Sequence, residues 1–156
     1  STTSKPATLW VDSVRTDPFA PGSVLSLTSY GAMIGATDVN ATNRVLAENR
    51  YNDVPPPGWT YVLAPVAVCY MAESGSGTPW LDLDVEFIGS DGRTYDDGYN
   101  VTPSDIYDLG DLYAPNGCGS FYAAALVPRS VLTGAVWVIT DTSSWSSTTK
   151  QFVKVS

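Results

Sequence analysis

Apolar and polar residues alternate along much of this chain, and that period of two predicts strands. The clearest case is Trp80-Leu81-Asp82-Leu83-Asp84-Val85-Glu86-Phe87-Ile88. Leu81, Leu83, Val85 and Phe87 fall on one face, and Asp82, Asp84 and Glu86 on the other. Trp59 to Met71 is a longer apolar run, rich in Tyr and Val, and Pro65 within it predicts an edge position or a bulge. Further strands are predicted at 24–30, 33–39, 120–127, 134–140 and 151–155, with a weaker one at 9–15. Residues 1–8 read as a flexible tail and 9–156 as one domain. Asn40 to Asn52 is the single predicted helix, with Thr42 as its cap, and Pro55-Pro56-Pro57-Gly58 ends it. Residues 96–112 read as an irregular loop. Short strands separated by turn signals predict an all-β, antiparallel sandwich with at most one short helix.

Composition narrows the role. The chain has 156 residues and no histidine, which removes Ser-His-Asp and Cys-His catalysis and most zinc sites. Without a group titrating near neutrality, net charge stays nearly constant around pH 7. Charged residues are 15%, while Ser and Thr together number 33, the profile of an exported, turn-rich β protein. No run is long and apolar enough to cross a bilayer as a helix, and the start Ser-Thr-Thr-Ser-Lys-Pro reads as a mature terminus after signal-peptide removal. An even cysteine count in such a chain predicts a disulfide, Cys69 to Cys118.

The net charge of −8 is concentrated: residues 82–111 hold nine carboxylates against Arg93 alone. That acidity disfavours nucleic acid and anionic membranes as partners. Asp91, Asp96, Asp97, Asp105, Asp108 and Asp111 form an oxygen-rich stretch of the type calcium takes, although the EF-hand spacing is missing. The plainer reading is a solvated acidic surface, with no cofactor at all. Asp82, Asp84 and Glu86 share a strand face at separations that glycoside hydrolysis uses, but on a water-exposed face their pKa values stay ordinary, which argues against an enzyme. Trp137 lies in an apolar run and reads as core. Trp80 and Trp145 are flanked by loop residues and are the candidates for stacking on a glycan or a protein. The segment 142–150, seven of its nine residues Ser or Thr, reads as a hairpin tip or as an edge for strand addition.

Asn49-Arg50-Tyr51-Asn52-Asp53-Val54-Pro55-Pro56-Pro57-Gly58-Trp59-Thr60-Tyr61-Val62 follows the form N-x-[FY]-N-x-x-P-P-x-G-x-x-Y-V. Gly77-Thr78-Pro79-Trp80, Val85 to Tyr95, Leu109-Gly110-Asp111-Leu112-Tyr113 and the strand from Gly119 to Pro128 extend the match over roughly 24–140. The chain thereby resembles the telokin-like, immunoglobulin-superfamily domain of unknown function found in exported actinobacterial proteins and lipoproteins. Ala114-Pro115-Asn116-Gly117-Cys118 departs from the Gly/Ser-rich turn common there. The resemblance implies an immunoglobulin-like sandwich outside the cell and supplies no catalytic residues. The expected role is a secreted or cell-surface, non-catalytic interaction module for a protein or cell-envelope partner. The alternatives are a glycan- or calcium-binding module, or a self-associating subunit of a surface layer or fibre.

Overall fold

In the computed structural model, which describes Ser13 to Ser156, ten strands appear in chain order. They are β1 (Val24–Ser26), β2 (Tyr30–Ile34), β3 (Trp59–Tyr70), β4 (Ser76–Gly77), β5 (Leu83–Ile88), β6 (Thr94–Tyr95), β7 (Leu112–Tyr113), β8 (Cys118–Pro128), β9 (Val136–Ser144) and β10 (Ser147–Lys154). The predicted tail and most of the weak strand at 9–15 lie outside the described residues. One sheet has the order β1-β2-β3-β8, the other β10-β9-β5-β6, and β4 with β7 makes a small ribbon. Every pairing between these strands is antiparallel. The two four-stranded sheets enclose one core, so the chain folds as the predicted antiparallel β-sandwich.

Side-chain alternation explains how the sheets meet. Val62, Ala64, Val66 and Val68 of β3 and Phe121, Ala123, Ala125 and Val127 of β8 point inward. Leu83 and Phe87 of β5 and Trp137 and Ile139 of β9 meet them from the other sheet. Trp137 is fully buried, packs edge-on against Phe87 and donates from Nε1 to Thr37 Oγ1 at 2.9 Å. Tyr61 and Leu63, on the opposite face of β3, are buried too, under Ala41 and Val45 of the helical segment. Burial on both faces is why this strand reads as a continuous apolar run rather than an alternating one.

The predicted strand at 24–30 is cut to β1 (Val24–Ser26), that at 33–39 is displaced to β2 (Tyr30–Ile34), and three further features depart from the sequence pattern. The predicted helix is short, α1 (Thr42–Leu46), and Thr42 does not cap it: the cap position is Ala41, and the Thr42 hydroxyl accepts the Tyr61 N–H at 3.3 Å. Pro65 sits in a central strand, but where β2 has ended: Gly35 turns away there, donating its N–H to the Pro65 carbonyl at 2.8 Å. A Cβ on Gly35 would stand 2.9 Å from the Pro65 ring, so the close crossing requires glycine. Lastly, α2 (Pro79–Asp82) replaces the start of the predicted strand. Proline suits the first helical position, and the turn closes with Leu83 N–H on the Pro79 carbonyl. Leu81, predicted inward, is therefore 66% exposed.

Cys69 and Cys118 form the predicted disulfide, and they are directly paired residues of β3 and β8. The bridge thus ties two strands of one sheet, not one sheet to the other. Among the described residues no helix is long and apolar enough to cross a membrane.

Candidate ligand-binding cleft

The two long sides of the sandwich differ. On the β1/β10 side polar bonds join the sheets. Gln151 Nε2 donates to the Ser26 carbonyl at 3.1 Å, Thr28 N–H to Thr149 Oγ1 at 2.9 Å, and Ser29 N–H to the buried Asp141 carboxylate at 2.8 Å. On the other side β8 faces β5 and β6 across an open seam. The strand β6 pairs with β5 only at Phe87 and Ile88, so Leu83 to Glu86 have no neighbour strand there. A cleft of about 610 Å³ opens at this place, between Leu83–Glu86 of β5 and Phe121–Ala124 of β8.

The acidic loop after β6 forms the remaining wall. At Asp96 the chain leaves β5 and crosses to the outer edge of β8. Leu126 N–H donates to the Asp96 carbonyl at 2.7 Å and Tyr122 N–H to the Ser104 carbonyl at 2.9 Å. Asn52 holds the loop from outside. Its Nδ2 donates to the Val45 and Val101 carbonyls at 2.8 and 2.7 Å, and its Oδ1 accepts the Val101 N–H at 2.8 Å. The Asn-rich stretch before the prolines thus works as a clamp on the cleft wall.

Two Asp-x-Tyr steps shape the rim. The Asp97 carboxylate accepts the Tyr99 N–H at 2.9 Å, and Asp105 accepts the Tyr107 N–H at 2.8 Å. Such Asx turns fold the backbone locally and present the following tyrosine outward. Tyr99 is 97% exposed, with φ of 61°, a left-handed conformation that costs a bulky residue energy. Tyr107 is 72% exposed, and its ring lies 5.9 Å from that of Trp80, tilted 35°. Trp80, Tyr99, Tyr107 and Tyr122 all line the cleft, together with Asp84, Glu86, Asp96, Asp97 and Asp105.

The cleft lining is acidic and holds no Lys or Arg among the described residues; Lys150 acts on Glu86 from outside it. Partial burial raises the pKa of Asp97 above the ordinary aspartate value, aided by the Asp96 and Asp105 charges and opposed by the backbone N–H of Tyr99. Partial burial likewise raises Glu86, aided by Asp84, while Lys150 pulls it down. A carboxylate whose folded-state pKa is raised stabilises the fold below its unfolded pKa, and that contribution is lost as pH rises through the folded value. At neutral pH the ionised Asp97 is therefore a net cost. Asp97→Asn keeps the Asx acceptor and removes the charge. We expect it to melt higher than the parent at pH 7, with the difference closing as pH falls through the aspartate range. Equal melting temperatures at pH 7, or a gap that widens on acidification, would contradict this assignment.

The remaining predicted residues scatter. The structure does not bring Asp91, Asp96, Asp97, Asp105, Asp108 and Asp111 into one calcium site; among the described residues no three acidic or other metal-binding side chains converge. Asp91 accepts from the Tyr95 hydroxyl at 2.6 Å, a bond that lowers its pKa, and Asp111 accepts from Thr78 Oγ1 at 2.8 Å. Asp108 ends an exposed single 3₁₀ turn, Ile106–Asp108. Of the two candidate tryptophans only Trp80 is on the cleft; Trp145 is fully exposed at the tip of the β9–β10 hairpin. Asp82 leaves the row with Asp84 and Glu86 and accepts from the Tyr30 hydroxyl at 2.6 Å, a bond that, after burial, helps raise the tyrosine's pKa. The cleft tyrosines were not among the sequence candidates; the repeated Asp-x-Tyr step was the signal available for two of them.

No family model matches the chain, and no curated protein matches it. Two solved structures are similar in fold. A conserved hypothetical protein from Bacillus anthracis superposes with a TM-score of 0.51 at 7% identity, over 84% of this chain and 93% of that one. An uncharacterized β-sandwich protein from Clostridium difficile 630 superposes with a TM-score of 0.49 at 11% identity, over 97% of this chain and all of that one. At such identities the first likeness speaks to fold alone.

Proposed function

We propose that this chain is a non-catalytic interaction module of the cell exterior, secreted or held at the cell envelope, and that the open seam between β5 and β8 is its recognition surface. One observation carries the reading. Exposed aromatic rings and carboxylates, with no Lys or Arg in the lining among the described residues, are gathered around a concavity of about 610 Å³, a size that suits ligand sites. Folding alone gives no reason to collect solvent-facing rings there; large apolar side chains normally go to the core. The disulfide and the Ser/Thr-rich composition support an oxidising compartment. The resemblance to the telokin-like domain of exported actinobacterial proteins points the same way. A glycan remains the second reading, favoured by the exposed, adjacent Trp80 and Tyr107 rings.

A 15N-correlation NMR titration tests the proposal. The probes are neutral oligosaccharides and short blocked peptides of positive, negative and no charge. At least one class is expected to shift Val85, Tyr99, Tyr107 and Ala124 together. Shifts confined to other surfaces, or none with any class at millimolar concentration, would reject the cleft as the recognition surface.

A further inference from the structure

We infer that the cleft receives an extended peptide strand bearing lysine or arginine, added to the open edge of β5; this rests on the reading of the cleft as a recognition surface and names what it recognises.

The backbone supplies the first argument. Where the β5–β6 hairpin turns, Gly89 N–H donates to the Arg93 carbonyl and the Gly89 carbonyl accepts the Gly92 N–H, so Gly89 directs its backbone groups toward β6. In an antiparallel ladder such residues alternate, so Phe87, Val85 and Leu83 turn their backbone groups to the same side. Phe87 is paired there with Tyr95. Beyond it the chain has crossed to β8, and Leu83 N–H is used by the Pro79 carbonyl. The Leu83 carbonyl and both groups of Val85 therefore face the cleft without a partner strand. Ala124 is the matching gap on β8, between Tyr122 and Leu126, whose N–H groups the loop already satisfies. An edge of this kind is a template for one more strand, with main-chain bonds giving affinity and alternate side chains giving specificity.

Charge selects the side chains. Asp84, Glu86, Asp96, Asp97 and Asp105 line the cleft, and no Lys or Arg does among the described residues. A cationic side chain leaving the added strand meets carboxylates from β5 on one side and from the loop on the other. The rims carry Trp80, Tyr99 and Tyr107, whose ring faces attract ammonium and guanidinium groups. A neutral sugar would stack on the rings but bring no cation to the carboxylates and leave the Val85 edge unpaired. An acidic or nucleic-acid ligand is repelled.

The test uses the full chain and isothermal titration calorimetry with blocked hexapeptides. A peptide alternating lysine and threonine is expected to bind. Replacing its lysines by glutamate, or N-methylating alternate amides so that one edge cannot donate, should each weaken binding by roughly tenfold or more. Raising NaCl from about 0.05 to about 0.5 M should weaken it several-fold. Binding that ignores charge reversal or N-methylation would overturn the inference. If neutral oligosaccharides shift the cleft resonances and the lysine peptide does not bind, the inference falls while the recognition surface stands. If no oligosaccharide and no blocked peptide of any charge engages the cleft, both fall.

Discussion

Replacing Cys69 and Cys118 together by serine is expected to cost about 4 kcal/mol of stability, the chain-entropy value for a loop this long. The bridge spans 49 residues of sequence, which include β4 to β7 and the whole cleft loop. Opening it frees that loop in the unfolded chain and so favours unfolding. In the folded chain β3 and β8 stay in register from Trp59↔Pro128 to Val68↔Gly119, so the variant still folds. Cys118 is exposed and Cys69 half-buried, so the serines bury no stranded hydroxyl. For a domain of this size the loss corresponds to a melting temperature lower by roughly 8–16 °C. The urea m-value should rise as well, because the unfolded chain exposes more surface. A melting temperature within a degree or two of the parent would show that the bridge does not act through the unfolded state.

Asn52→Ala is expected to have the next largest effect, and to reach the cleft from outside it. The buried Asn52 amide satisfies the Val45 carbonyl and both backbone groups of Val101. Alanine strands the Val45 carbonyl where little water reaches and returns the two backbone groups of Val101, a residue 49% exposed, to solvent. The loss should be roughly 1–3 kcal/mol. Asn52→Asp should recover little, since a carboxylate keeps the bond from Val101 N–H but cannot donate to either carbonyl. The same change should free the loop from α1, so the Val101 amide should exchange with solvent much faster than the β3 amides. A loss below about 0.5 kcal/mol with unchanged Val101 exchange would mean the clamp is incidental.

These two positions also show how far the sequence can be read. Period-two alternation finds strands wherever one face is wet, as from Leu83 to Phe87. The same rule reads Leu81 wrongly, because a proline at the first position of a turn outweighs alternation. The two-sided burial of β3 is visible as an apolar run, but which element covers its second face is decided by the distant Ala41 and Val45. Pairing of Cys69 with Cys118 follows from cysteine count; that it lies within one sheet depends on register, which the sequence does not state. The cleft is harder still. Its walls come from β5, β8 and the 96–108 loop, and it exists because β6 is two residues long. Trp80 was a visible candidate, and so was Trp145, for the same local reason; only the fold separates them. The acidic run suggested an ion site by composition, whereas Asp97 and Asp105 spend a carboxylate oxygen on their own Asx turns.

We propose that the open seam of the sandwich is where this protein meets its partner. Following the Val85 and Ala124 amide resonances in the probe titration tests it most directly. These two groups belong to residues of different sheets that both line the cleft. Joint, saturable shifts of both, with Tyr99 and Tyr107, are the result predicted. Shifts that leave Val85 and Ala124 unmoved and gather at Trp145 or on the β1–β2 edge would contradict it.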